Sequence, residues 1–297
     1  MECRMPSLLR ALGLLALCAH SIASLAQDQR SAREQVVSCR KNAWVFTEHR
    51  VLGGWAWAAN GKNTEDLAAH IDKFKREDLV ADYSIRVGDN RVLEGRRLSF
   101  SKERPKVAVL VVPGNLALAD TMIIRMLPIA HEVRHDYFFV DYRGYGRSPG
   151  FPSLRALIDD QVEIGANLRK LGYERVVGYG FSFGGIILVN AVRQGLALDR
   201  LIVDSVPADL EDYDCESNLS PVNAVPSICA DVTAITSEKD REIPPADQKQ
   251  FLDRIVAPDC GGRIRVLRTA IHAFNDKLGS AGDKERRDTI AELLAGD

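Results

Sequence analysis

Residues Gly180-Phe181-Ser182-Phe183-Gly184 form a G-x-S-x-G motif. Short patterns of this kind recur by chance, so its setting gives it weight. It lies between an apolar run at 176–179 and a helical stretch at 186–192, where a serine presented on a sharp strand-to-helix turn belongs. Glycines two residues to either side remove Cβ atoms that would collide with the strand and the helix. A serine held this way does covalent chemistry: its Oγ attacks a carbonyl carbon, and the acyl group stays on the chain until water removes it. The bland alternative is a glycine-rich turn without chemistry.

A serine hydroxyl is a weak nucleophile without a base. The chain has six histidines, and His20, His49, His70, His131 and His135 all precede Ser182. Where a strand–turn–helix carries the serine, the acid and then the histidine follow it in the chain. His272 alone meets that order. Asp240 best fits the acid, because it follows the strand-like run 232–236 at loop distance and Pro244-Pro245 then open the next helix. Its role would be to hold the imidazole tautomer. Asp204, at the end of the preceding strand, is the runner-up, while Glu238 and Asp231 read as solvated loop charges. An oxyanion needs two amide donors. Phe183, after the nucleophile, supplies one; Asn115, in the turn after Pro113-Gly114, supplies the other, or Leu116 if the register slips by one.

These residues need a scaffold that brings them to one edge. Residues 107–112, 137–140 and 176–179 are apolar runs of strand length, as strands buried on both faces look, and 201–203, 232–236 and 264–267 read as three further strands. Before them, 82–87 and 91–100 flank Gly88-Asp89-Asn90 and read as a hairpin. Helical patterns fall at 119–133, after the N-cap Ser153 up to Gly172, at 186–192, 248–255 and 289–294. Strands alternating with helices imply an α/β class with a mostly parallel sheet covered on both faces. The glycine-rich turn Asp141-Tyr142-Arg143-Gly144-Tyr145-Gly146-Arg147-Ser148 reads as structural, folded beside the site with its charges paired.

The chain has 297 residues, 46% hydrophobic and 27% charged, with a net charge of −2. That composition is globular, and nothing in it resembles the basic face of a nucleic-acid binder. Residues 1–26 read as an export signal: Arg4 and Arg10, an apolar run at 12–17, and Ser24 and Ala26 before Gln27. The run is short for a bilayer anchor. Cys18 is a poor lipidation site after the bulky Leu17. Export leaves Cys39, Cys215, Cys229 and Cys260, an even number that points to disulfides, with Cys215–Cys229 favoured because they bracket one short segment; four free thiols are the alternative. No cysteine or histidine spacing suits a metal. The stretch 51–59 is apolar, and the core reading is favoured over membrane contact because it lacks a basic amphipathic face.

The turn at Asp141–Ser148, the motif around Ser182, the loop with Asp240 and Pro244, and the late His272 together resemble the α/β-hydrolase superfamily, with the nearest look to its serine-aminopeptidase-like and Bem46-like (monoacylglycerol-lipase-like) branch. The resemblance covers residues 80–297 and leaves 27–80 as an N-terminal helical extension. It implies an eight-stranded sheet, a Ser-His-Asp triad, no cofactor and acyl transfer to water, with room at 207–230 for only a short lid. Three positions depart from that branch: Pro113 where His is usual, Ser237 where Gly is usual, and Ile271 before the histidine where Gly is frequent. The expected activity is hydrolysis of small or medium carboxylic esters by an exported enzyme, periplasmic or secreted, acting on a small acyl ester or peptide. A peptidase or amidase with the same triad, and an inactive hydrolase-fold binding protein, are the competing readings.

Overall fold

A computed structural model describes residues 71–100, 105–115, 117–150, 152–210, 217–229 and 231–296. The expected signal, most of the extension, the 51–59 stretch, Leu116 and Cys215 lie outside the described residues. Eight strands form one sheet: β1 (Val80–Arg86), β2 (Val92–Ser99), β3 (Val107–Val112), β4 (Asp136–Val140), β5 (Arg175–Phe181), β6 (Arg200–Asp204), β7 (Val232–Ser237) and β8 (Arg263–Leu267). Their order is β1-β2-β4-β3-β5-β6-β7-β8. The β1–β2 hairpin is antiparallel, β2 is antiparallel to β4, and every pair from β4 to β8 is parallel.

The continuous apolar runs are explained by burial on both faces. Along β3, Ala108, Leu110 and Val112 join one core, while Val107, Val109 and Val111 join the other. In β4, Phe138 and Val140 face the first core and Tyr137 and Phe139 the second. The first core is roofed by α2 (Leu154–Lys170), α3 (Phe183–Arg193), α4 (Pro221–Ile228) and α5 (Pro245–Ile255). The second is roofed by α1 (Ala119–Glu132) and α6 (Ala281–Ala295). Ser153 caps α2 by accepting from the Ala156 amide, and Gly172, at φ 91°, follows its end. The β8 edge carries exposed Arg263 and Arg265, charges that discourage pairing with another chain.

One element differs from the sequence reading. Helix α6 starts eight residues earlier than the expected 289, since 281–288 is so rich in charge that it shows no apolar stripe. Within the 207–230 span where a short lid is expected, Ser217–Leu219 is a 3-10 turn and α4 follows. Leu219, Ala224, Val225 and Ile228 are buried in the first core, and Asn190 on α3 donates to the Leu219 carbonyl at 2.9 Å.

Cys229 is bonded to Cys260, with the Cα atoms 4.7 Å apart, so the expected Cys215–Cys229 pairing is corrected. Cys229 caps the end of α4, Cys260 follows α5, and the two helices pack side by side. Nearness along the chain was the wrong guide; the packing of two helices chose the partner. The bridge closes a segment with a sequence separation of 31, which the chain-entropy picture values at about 3.7 kcal/mol. Cys229→Ser with Cys260→Ser is expected to lower Tm by several degrees, and dithiothreitol to lower the wild type to match. Equal melting of oxidised and reduced wild type would contradict this.

Candidate active site

Ser182 sits between β5 and α3 with φ 51° and ψ −125°, a left-handed backbone that a non-glycine residue adopts at a cost of about 1–3 kcal/mol. Three contacts hold it. The Ser182 amide donates to the Asp204 carbonyl at 2.8 Å, and the Ser182 carbonyl accepts from Gly185 at 3.0 Å and Ile186 at 3.2 Å. Helix α3 is buried from Phe183 to Ala191, so its first turn cannot shift. Gly184 lets that turn press on the end of β3: a Cβ there would lie 2.0 Å from the Val112 carbonyl oxygen. Ser182 itself is half-buried.

The turn after β3 lies beside the serine. A Cβ on Gly114 would lie 2.7 Å from the Phe181 ring and 3.5 Å from Cβ of Ser182. Asn115 follows, its Oδ1 accepting from the Tyr145 hydroxyl at 2.7 Å, and the Tyr142 hydroxyl donates to the Pro113 carbonyl. Both tyrosines come from the glycine-rich 141–148 turn, which thereby props the 113–115 turn. That turn is anchored by its charges, as expected of a structural element. Arg143 pairs with buried Asp160 and with Asp89, and Asp141 accepts from the Ala119 amide at 2.8 Å. Burial pushes the Asp141 carboxyl up to about 7.

Asp240 and His272 meet. The His272 Nδ1 is 2.9 Å from Asp240 Oδ2 and 3.1 Å from Oδ1, and both residues are buried. Asp240 follows β7, and its Oδ1 also accepts from the Glu242 and Ile243 amides at 3.0 Å each, which folds the loop back on itself. Burial would raise its carboxyl, but the bond and charge of His272, the Ile243 amide and the Ser205 hydroxyl outweigh it and hold it below the usual range. Pro245 then opens α5 at its first turn. Asp204, the runner-up, has its carboxylate taken by Arg286 at 2.9 Å, Tyr179 at 3.2 Å and Ser205 at 3.0 Å. His131 stacks edge-on against Phe100, and a ring nitrogen of His135 bonds the Leu294 carbonyl.

His272 follows β8, and its loop returns toward the serine. Phe274, at φ 61°, packs its ring 4.9 Å from that of Phe181, the residue before Ser182. Ser182, Asp240 and His272 thus all lie past the C-terminal ends of parallel strands, the edge where open α/β sheets bind ligands. Phe183 begins α3, whose N-terminal amides carry positive potential. Past His272 Nε2, the exposed Glu242 carboxylate is 3.9 Å away. Among the described residues, no cluster of His, Cys, Asp or Glu is arranged to hold a metal.

Sequence reasoning missed Ser205, Asp276, Glu285 and Arg286, all bonded around the histidine loop. Arg286 lies in the run Asp283-Lys284-Glu285-Arg286-Arg287-Asp288, where nothing separates the buried arginine from the charged residues around it. Ser237 donates to the Ala270 carbonyl and so ties the end of β7 to the histidine loop.

The sequence profile of the Alpha/beta hydrolase family matches residues 109–265. Among curated proteins, Uncharacterized protein YfhR of Escherichia coli K12 is 24% identical over 204 residues, which cover 61% of this chain and 68% of YfhR. Among solved structures, an alpha-beta hydrolase from Vibrio vulnificus is similar with a TM-score of 0.64 and 16% identity, over 86% of this chain and 94% of that one. The Pyrococcus furiosus esterase Pf2001 is similar with a TM-score of 0.59 and 16% identity, over 73% of this chain and 92% of that one. The eight-stranded sheet with β2 reversed, the strand–serine–helix turn and the profile match agree: the chain belongs to the alpha/beta hydrolase family.

Proposed function

We propose that the chain is a serine hydrolase that cleaves carboxylic esters through an acyl-enzyme on Ser182, with His272 as its base and Asp240 as its acid. The observation that carries this reading is the 2.9 Å bond between Asp240 and His272 Nδ1, at the sheet edge where Ser182 stands in its strained turn. A carboxylate on Nδ1 fixes the tautomer in which Nε2 accepts a proton, which is the state a general base needs. The Ser182 Oγ bonds to the ester carbonyl carbon while its proton passes to Nε2. The carbonyl oxygen, now an oxyanion, takes the backbone amides of Phe183 and Asn115. The alkoxide leaves with the proton from His272; water then repeats the sequence and frees the acid. The glycine-rich 141–148 turn supports the reading by propping the Asn115 turn through Tyr142 and Tyr145.

The name of the Pyrococcus furiosus relative, an esterase, agrees with this substrate class, although that likeness is one of fold. The Cys229–Cys260 disulfide suits an exported enzyme, as does the apolar run at 12–17 behind Arg4 and Arg10.

A fluorophosphonate probe is expected to label the wild type and to leave Ser182→Ala unlabelled; an unlabelled wild type would contradict the reading. On p-nitrophenyl acetate, Ser182→Ala and His272→Ala are each expected to lose on the order of 10⁵-fold or more in kcat with an unchanged melt. Asp240→Asn is expected to lose about 10⁴-fold, because the amide favours the wrong tautomer. If instead Asp204→Asn removes activity while Asp240→Asn keeps it, the acid has been misassigned. Turnover of p-nitrophenyl esters but not of aminoacyl p-nitroanilides separates esterase from peptidase.

A further inference from the structure

We infer that Glu285 and Arg286, neighbours on α6, are positioning residues that set the place of the His272 imidazole by gripping the backbone that leads up to it and its own carbonyl. The inference rests on the serine-hydrolase reading above and adds to it the device that holds the base.

The grip is nearly continuous. Glu285 Oε1 accepts from the Arg268 amide at 2.8 Å, and its Oε2 accepts from the Thr269 amide at 2.7 Å, the Thr269 hydroxyl at 2.5 Å and the Ala270 amide at 3.2 Å. Arg286 takes over where Glu285 stops. Its Nη2 donates to the Ile271 carbonyl at 2.8 Å and its Nη1 to the His272 carbonyl at 3.4 Å. The same Nη1 donates to Asp276 at 3.2 Å, whose other partner is the Ile271 amide at 3.1 Å. Two adjacent helical side chains therefore read five consecutive residues, amides first and carbonyls after, ending on the histidine.

Arg286 also connects this loop to the rest of the site. Its Nε donates to Asp204 at 2.9 Å. Asp204 accepts the Ser182 amide on its carbonyl and the Ser205 hydroxyl on its carboxylate. The Ser205 hydroxyl also neighbours Asp240, its single proton going to only one of the two carboxylates at a time. The nucleophile's turn, the acid and the base are thus linked through one guanidinium that is 1% exposed. A loop carrying a residue at φ 61°, Phe274, needs such restraint to keep one conformation.

A structural brace and a positioning brace differ in what they disturb. Glu285 is half-buried at the rim of the fold, so its loss leaves the core intact. Small displacements of a base cost rate rather than binding, on the order of 10²-fold for about 1 Å. Its four accepted hydrogen bonds outweigh partial burial and push the carboxyl down to about 2 from 4.5. With the folded value depressed, the stabilisation is present above pH 4.5 and is lost as pH falls toward 2.

The test measures fluorophosphonate labelling of Ser182, kcat and KM on p-nitrophenyl acetate, and thermal melts, for full-length wild type, Glu285→Ala, Glu285→Gln and Arg286→Lys. We expect Glu285→Ala to stay folded, to label about 10–100-fold more slowly, and to lose kcat with KM nearly unchanged. Glu285→Gln, which keeps an acceptor oxygen, should recover part of that rate, and its melting deficit should shrink as pH falls from 4.5 toward 2. Arg286→Lys, which cannot fork between two carbonyls, should also slow labelling at a temperature where it is folded. A labelled wild type with Glu285→Ala and Arg286→Lys both labelling at its rate would overturn the inference alone. A wild type that never labels would overturn the underlying reading, and the inference with it.

Discussion

The structure depends on one strained residue. Ser182 stands at φ 51° where the chain leaves a buried strand and enters a buried helix, and the surrounding fold opposes its relaxation. The amide is bound to Asp204 on the next strand, the carbonyl to the first turn of α3, and that turn is pressed onto the end of β3 at Gly184. Strain of about 1–3 kcal/mol survives only where the surroundings over-determine the conformation. Both sheet faces supply that determination, since β3, β4 and β5 bury every residue except Arg175.

The restraint extends to the loops at the same edge. A buried ion pair such as Arg286 with Asp204 is weak support for stability, because desolvating two charges offsets much of their attraction. Breaking such a pair is costly for the opposite reason, as it strands a charge. What this pair supplies is geometry: it joins α6 to the strand beside the serine and to the histidine loop. On the other flank, Arg143 with Asp160 does the same for the 141–148 turn, which carries Tyr142 and Tyr145 to the Asn115 turn. Ser237 fits this pattern, with its hydroxyl donated to the histidine loop.

How much of this is legible in the sequence follows from what local pattern records. Strand β3 is read to the residue because burial on both faces leaves an uninterrupted apolar run. The Asp240–His272 partnership follows from chain order and strand ends, and the two residues stand in contact. The first half of α6 is not legible, because its charges face the loop and a carboxylate rather than a core, so the helical period carries no apolar mark. For the same reason Arg286 looks like Arg287. The disulfide is misread because Cys260 is distant in sequence and adjacent in space only after α4 and α5 pack. Long-range polar contacts leave no periodic trace, and the residues that brace the site are held by such contacts.

The most direct test is a crystal structure of the protein after reaction with diethyl p-nitrophenyl phosphate. The account predicts a phosphoryl group bonded to Ser182 Oγ, one of its oxygens on the amides of Phe183 and Asn115, and His272 Nε2 facing the ester oxygens. An unmodified Ser182, or an adduct on another residue with the Ser182 hydroxyl turned away from His272, would contradict it.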